Sequence, residues 1–518
     1  QDYAGGPIDH DITGVEIFNT IFSLVVSPHS ADEIWVGSDD GRVHVTRDGG
    51  GSWADITPRD MPRYGTVDEI EVSPHEPGRA FLAVHRYRVD DFAPYVFRTD
   101  DYGESWRLLT DGENGIPADY PVRTVREDPA RQGLLYAGTE FGVFVSFNDG
   151  RNWQSLQLNL PITPVTGMRV AHDDLAVATQ GRSFWVLDDV TALRQLTTEV
   201  ATARVHLYAP RNAYRVNAAG SEEEGEPAPK AHPGNALIHY YLADAPAEPI
   251  TLEIRDAAGT VVRTFSSDSA TAAGYGLKPI KAKAGMNRAA WDITYAGPDT
   301  LTDAVTAGFA GGVKAPPGQY EVRLTAAGEV QTRSLTVLQD PRLGDVTQAD
   351  FDEQFRLAVA IRDSVNEVYD AVRDIRGVRE QVEAVGARAA EAGYPEHLKA
   401  LGDSIAERLT AVEQELLQVR NQSGQDALRY PPKLDTQYLA LYAHVTGVDN
   451  YSFGGPEGRP TAGAYARFED LNAVWRGLRD RLEAALSDVA QFNRGLQDAG
   501  VPGVIVPSAP RVETRPIP

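Results

Sequence analysis

Five carboxylates near the start of this 518-residue chain stand in polar stretches between β-rich runs: Asp39, Asp40, Asp90, Asp91 and Glu140. Glycoside hydrolysis needs two such groups about 5 to 10 Å apart, one acting as acid and the other as base or nucleophile. Spacing along the chain does not bring any two of them together, and Asp is also a common turn former, because its side chain bonds the backbone two residues on. Arg86, Tyr87 and Arg88 in "HRYRVDD", with Gln180 and Arg182 in "TQGRSF", are groups that bind rather than react. His29 and His75 could be read as a metal pair, but they occupy equivalent places in successive repeats, so no metal site is expected. No Ser/His/Asp signature, phosphate loop or His-x-Glu metal motif occurs, and no cofactor is expected.

The elements that must position these groups announce themselves by repetition. "TRDGGGSW" (46–53) returns as "TDDYGESW" (99–106) and "SFNDGRNW" (146–153), with tryptophans spaced 53 and then 47 residues apart. Such a period signals an array of similar units. Around each copy lie short β-rich runs separated by turn residues, as in "IFSLVVSP", "EIWVGS", "GRVHVTR" and "WADI", which predict a four-stranded antiparallel sheet per repeat. A fourth unit, 165–189, keeps the strands and loses the motif. The motif reads as a turn staple. Thr46, Thr99 and Ser146 open it; Asp48, Asp101 and Asn148 accept backbone N–H groups; Gly50, Gly103 and Gly150 take positive φ; Trp53, Trp106 and Trp153 pack between sheets.

This motif resembles the Asp-box of BNR repeats, found in sialidases, in some endoglucanases and in propellers of the Vps10/sortilin type. Over its whole length the chain is similar to the C-terminal half of large bacterial BNR-repeat proteins, often labelled sortilin-like or glycosyl hydrolase by analogy. The stretches that carry this likeness are "GGPIDHDITG", "IWVGSDDGRVHVTRDGG", "REDPARQGLLYAGTEFGVFVSFNDG" and "VATQGRSFWVLDD". The resemblance implies a β-propeller with further blades before Gln1, supplied by a missing N-terminal half or by a protein partner. It also implies a secreted, periplasmic or cell-surface bacterial protein. A sialidase would need an arginine cluster and a Tyr/Glu pair, and the Arg-Ile-Pro tripeptide that opens typical sialidases is absent.

A net charge of −25 argues against nucleic acid as the main partner. Without cysteine there are no disulfides, thiolate metal sites or cysteine nucleophiles. No apolar run reaches the length of a transmembrane segment, and the start at Gln1 reads as a processed or truncated end.

The expected fold is multidomain and mainly β: Asp-box propeller blades over 1–203, a fibronectin- or immunoglobulin-like β-sandwich over 204–342, a helical bundle over 343–500, and an extended Pro-rich tail over 501–518. The bundle rests on apolar stripes at helical spacing, such as Phe351, Ala358, Ile361, Val365 and Leu471, Trp475, Leu478, Leu482; an oligomerisation seam is the other use of such stripes. Polar loops are expected at 221–235 and 446–463. Propeller, sandwich and bundle in series describe a non-enzymatic recognition or scaffold protein that binds a peptide, protein or glycan on the propeller face. The alternatives are a glycoside hydrolase acting on an extracellular polysaccharide and a structural subunit of a larger surface or membrane-associated complex.

Overall fold

The computed structural model describes residues 4–15, 17–216, 235–301, 304–306, 308, 310–392, 395–447 and 457–506. Nearly all of the expected loop at 221–235, residues 448–456 of the second loop, the tail beyond 506 and Gln1 lie outside the described residues. The chain divides into two compact units, Gln1–Thr198 and Glu199–Pro518.

Among its described residues the first unit holds fifteen strands. Sheet one comprises β1 (Ile21–Val26), β2 (Ile34–Ser38), β3 (Val43–Thr46) and β4 (Ala54–Asp55); sheet two comprises β5 (Thr66–Val72), β6 (Ala80–Arg86), β7 (Asp91–Thr99) and β8 (Arg107–Leu108). Sheet three comprises β9 (Val122–Glu127), β10 (Leu135–Thr139), β11 (Gly142–Ser146) and β12 (Gln154–Ser155); sheet four has three strands, β13 (Val165–Ala171), β14 (Asp174–Thr179) and β15 (Phe184–Leu187). Each is an antiparallel meander in chain order. Meanders stacked face to face follow the building plan of a β-propeller.

Successive side chains of a strand point to opposite faces, and the cores follow that period. Leu82 and Val84 of β6 pack with Trp35, Val43 and Val45 of sheet one, while Phe81 and Ala83 face Val125, Leu135 and Ala137 of sheet three. Tyr136, Val143 and Val145 turn the other way, toward Met168, Leu175 and Val177 of sheet four. Strands buried on both faces read as continuous apolar runs such as "AFLAV" for this reason. At the ends of the stack apolar side chains stay uncovered: Phe22 and Leu24 of β1, and Phe184 and Val186 of β15, are all exposed.

Two histidines latch the stack. His29 Nε2 donates to the Ser73 carbonyl at 2.9 Å, and His75 Nε2 to the Asp128 carbonyl at 2.7 Å, each reaching from one sheet to the equivalent turn of the next. At the third place the Asp128 carboxylate takes Arg194 Nε at 2.8 Å instead. The two imidazoles are therefore structural, and among the described residues no cluster of His, Asp and Glu could hold a metal ion.

The second unit begins with strands β16 (Val205–Leu207), β17 (Ala213–Arg215), β18 (Ala236–Leu242), β19 (Thr251–Asp256), β20 (Val261–Ser266), β21 (Gly285–Trp291), β22 (Thr294–Tyr295), β23 (Val313–Lys314), β24 (Gly318–Ala326) and β25 (Glu329–Gln339). They form a three-stranded sheet β16-β18-β21, a five-stranded sheet β17-β25-β24-β19-β20 and the pair β22-β23. The β17-β25 pairing is parallel. Four helices follow: α1 (Gln348–Ala392), α2 (Glu396–Leu416), α3 (Leu434–Thr446) and α4 (Ala462–Asp498). Thr347 precedes α1, and its N–H and hydroxyl both donate to Asp350 Oδ2, at 2.9 and 2.6 Å. Strand residues such as Ile238, Leu252 and Trp291 and helix residues such as Ile361, Val365, Leu409 and Val489 belong to one continuous core. Among the described residues no helix is long and apolar enough to cross a membrane.

Candidate functional site

The repeated turn motif closes the same hydrogen-bond ring three times. Thr46 Oγ1 donates to Asp48 Oδ1 at 2.7 Å and accepts from Gly50 N at 2.9 Å, while Ser52 N and Oγ donate to the Asp48 carboxylate at 2.8 and 2.7 Å. Thr99, Asp101, Gly103 and Ser105 repeat this set. In the third copy Ser146, Asn148, Gly150 and Asn152 repeat it with an amide in place of the carboxylate. Bonds led by that from the Ser52 hydroxyl hold the Asp48 carboxyl down to about 2. The carboxylates and the amide are thus engaged within their own turns, as a turn staple requires.

The tryptophans are where the three copies differ. Trp106 Nε1 donates to the Ile56 carbonyl of sheet one at 2.7 Å, and Trp153 Nε1 to the Leu109 carbonyl of sheet two at 3.4 Å. Trp53 was expected to pack between sheets in the same way, but it is 44% exposed, because the described residues place no sheet before sheet one.

The five carboxylates of the sequence reading stand at one edge of the stack, in the connections between second and third strands. There four of them serve separate structural ends. Asp39 is buried and accepts from Thr20 N at 2.9 Å; Asp40 accepts from the Ser38 hydroxyl. Asp90 is exposed with φ 59°, and Asp91 pairs with Arg86 and accepts from Tyr95 OH at 2.9 Å. Glu140 pairs with Arg123 at 2.8 Å.

Arg86 is likewise not a free ligand group: besides Asp91 it donates from Nε and Nη2 to the Arg63 carbonyl, at 3.0 and 2.9 Å. Tyr87 stacks on His85, ring centroids 4.3 Å apart. Arg88, Gln180 and Arg182 are exposed, as a binding role requires. The same edge exposes two aromatic rings that sequence reasoning passed over, Phe92 and Phe141.

A second feature escaped the sequence because it depends on pairing register. The first strand of each of the four sheets in the first unit is irregular near its start, with Phe22, Asp68, Arg123 and Thr166 left out of the pairing register. A bulge re-aims a side chain and recurs beside functional sites. Here it turns Asp68 and Arg123 of neighbouring sheets onto one another, Arg123 Nε lying 3.3 Å from Asp68 Oδ2. Arg123 thus bridges Asp68 and Glu140, and Asp68 also receives Nδ1 of the buried His85, whose Nε2 has no hydrogen-bond partner. A His/Asp pair can move protons, but this imidazole is 2% exposed and lies against Tyr87, out of reach of a large substrate.

One step deeper, Glu69 and Glu71 of β5 share Arg126 of β9. Burial pushes the Glu69 carboxyl up to about 7 against the pull of Arg126, and burial raises Glu71 as well.

No protein-family description matches the chain, and no curated protein is similar to it. Among solved structures it is similar to YCF48 bound to a D1 peptide, at 16% identity, covering 33% of this chain and 52% of that one, TM-score 0.26. It is similar to the GH74 enzyme of Niastella koreensis at 13% identity, covering 63% and 52%, TM-score 0.28. It is also similar to the extracellular domain of a hybrid two-component system from B. thetaiotaomicron, at 13% identity, covering 63% and 39%, TM-score 0.26. The chain thus spans about half the length of the first two of these. The propeller plan rests on the chain's own four stacked sheets.

Proposed function

We propose that this is a non-enzymatic recognition or scaffold protein. Its stacked sheets are read as blades of an Asp-box propeller, and the edge that carries the connections between second and third strands binds a peptide, protein or glycan. The observation behind this reading is that the edge keeps Asp39, Asp40, Asp91 and Glu140 in structural bonds while exposing Arg88, Phe92, Phe141 and Arg182. Aromatic and arginine side chains are the ones most enriched at recognition hot spots. The two sheets of the second unit fit a β-sandwich that, with the helices, serves assembly. An extracytoplasmic location, whether secreted, periplasmic or at the cell surface, is carried over from the resemblance of the repeats. The test is to probe a peptide array and a glycan array with the wild-type chain and with Arg88→Ala/Phe141→Ala/Arg182→Ala. The expected outcome is loss of the wild-type signals at unchanged Tm; signals that survive in the folded variant refute this edge as the site.

Two other readings each have an observation in their favour. For a glycoside hydrolase, the pair is Asp68, which was not among the five candidates of the sequence, and Glu140, which was, both brought to the Arg123 guanidinium. Sugar release from a polysaccharide panel that disappears in both Asp68→Asn and Glu140→Gln would establish it. For a subunit of a larger assembly, the exposed Trp53, Phe22 and Leu24 invite a further sheet, from a partner or from an N-terminal half of the propeller. Native mass spectrometry of material isolated from its source tests this, a lone 56.3 kDa species counting against it.

A further inference from the structure

After α4 the chain turns back and runs extended between α1 and α4, which both pack on α2 and barely touch each other. Two side-chain amides hold it there. Asn493 of α4 donates from Nδ2 to the Val504 carbonyl at 2.8 Å and accepts the Val504 N–H at 2.6 Å. Gln381 of α1 does the same for Ile505, donating to its carbonyl at 3.2 Å and accepting its N–H at 2.9 Å. Adjacent residues of an extended strand turn their N–H and C=O groups to opposite sides. One clamp therefore stands on each helix.

Side chains alternate in the perpendicular direction. Val504 is 4% exposed, Ile505 is 75% exposed, and Val506 packs against the core again. At Gly503 a Cβ would lie 3.0 Å from Asn493 Oδ1, so glycine suits the approach. A cleft of about 500 Å³ borders Pro502 and continues along Gly377, Ala384 and Arg388 of α1. A primary amide presents an N–H donor and a carbonyl acceptor side by side, which match the C=O and N–H of one residue in an extended chain. The clamps therefore read main chain, and selectivity is left to the glycine and to the two inward apolar positions.

We propose that the groove between α1 and α4 is a binding site for an extended peptide of the pattern Gly-apolar-x-apolar, which residues 503–506 of this chain occupy in cis. The partner in trans is a strand of the same pattern from another chain, and it binds by displacing the resident segment. Tethering gives that segment a high effective concentration, on the order of millimolar, which suppresses exchange until the segment is loosened.

The test uses the full chain and a fluorescein-labelled peptide with the sequence of residues 500–508, GVPGVIVPS. Val504→Asp drives the resident segment out of its apolar seat. Fluorescence anisotropy should then show binding at least about tenfold tighter than in wild type. Adding Gln381→Ala and Asn493→Ala should abolish it. No gain in a Val504→Asp chain with wild-type helical circular dichroism overturns the proposal, and so does binding that survives loss of both amides. If Val504→Asp disturbs the bundle, hydrogen exchange of the otherwise unaltered chain decides. Gln381→Ala should speed exchange of the Ile505 N–H, and Asn493→Ala that of Val504, each by about tenfold. Unchanged rates in both variants refute the clamp.

Discussion

Gly50 and Gly103 hold the same place in successive repeats and nearly the same backbone, φ 97° and 86°, yet their surroundings differ. A Cβ at Gly103 would lie 2.6 Å from Ile56 Cβ of the preceding sheet, whereas a Cβ at Gly50 would find nothing nearer than Trp53 Nε1 at 3.9 Å. Both alanine variants carry the cost of a left-handed L-residue, about 1 to 2 kcal/mol. Only Gly103→Ala adds overpacking against a neighbouring sheet, another 1 to 3 kcal/mol or so. For a unit of this size 1 kcal/mol corresponds to a Tm shift of about 2 to 4 °C, so a middle value of about 2 kcal/mol puts Gly103→Ala about 4 to 8 °C below Gly50→Ala. Differential scanning calorimetry of the two variants beside wild type gives the comparison directly. Equal losses would mean that sheet one already has a neighbour in solution, and the argument from the exposed Trp53 would fall. If a partner does cover sheet one, adding it should make Gly50→Ala as costly as Gly103→Ala.

Arg123→Ala leaves Asp68 and Glu140 without their shared counter-charge; a loss of about 3 kcal/mol is expected in urea unfolding, against less than about 0.5 kcal/mol for the exposed Arg88→Ala. Burial raises the Glu69 carboxyl in the folded state from 4.5 to about 7, so the folded state binds the proton more tightly than the unfolded one. Stability is then full below pH 4.5 and is lost as pH rises through 7; Glu69→Gln should remove that decline, about 1 to 3 kcal/mol, in urea midpoints taken at pH 5 and pH 8. His29→Ala removes one bond between sheets and should lower the unfolding free energy in urea by about 1 kcal/mol without loss of β-structure by circular dichroism.

What was legible in the sequence was local. The turn motif closes within seven residues, so types and spacing alone mark Asp48 as an acceptor of backbone N–H and Gly50 as a positive-φ position, while the bonds of Thr46 show only in the structure. The helical stripes were legible for the same reason, since an apolar residue every three or four positions leaves one face to bury. Arg86 and Asp91 misled because both are charged and lie in an insertion, features that suit a ligand site and an internal ion pair equally well. Asp68 and Arg123 stayed hidden because a bulge is a property of two strands in register: "VDEIEV" and "VRTVRE" read as ordinary alternation until their partners show which residue is skipped. The Gln381 and Asn493 clamps could not be foreseen either, since an amide on a helix carries no mark of the strand it will meet more than a hundred or only eleven residues away.

Trp53, Trp106 and Trp153 carry this lesson into energetics. The motif delivers each indole to the same point on its own sheet, and that is all the motif can do. Whether the indole then buries its area and finds a carbonyl depends on the previous sheet, which supplies Ile56 O for Trp106 and Leu109 O for Trp153. An indole buries 150 Å² or more when covered, roughly 4 kcal/mol of transfer free energy at 25 cal/mol per Å². In a stack held by such contacts, an uncovered tryptophan marks a place where one more sheet would bind with a ready-made anchor. The connecting edge has no such repetition: Asp39, Arg88, Glu140 and Arg182 differ from sheet to sheet. Repetition therefore separates the residues that hold the array together from the residues free to specify what it recognises.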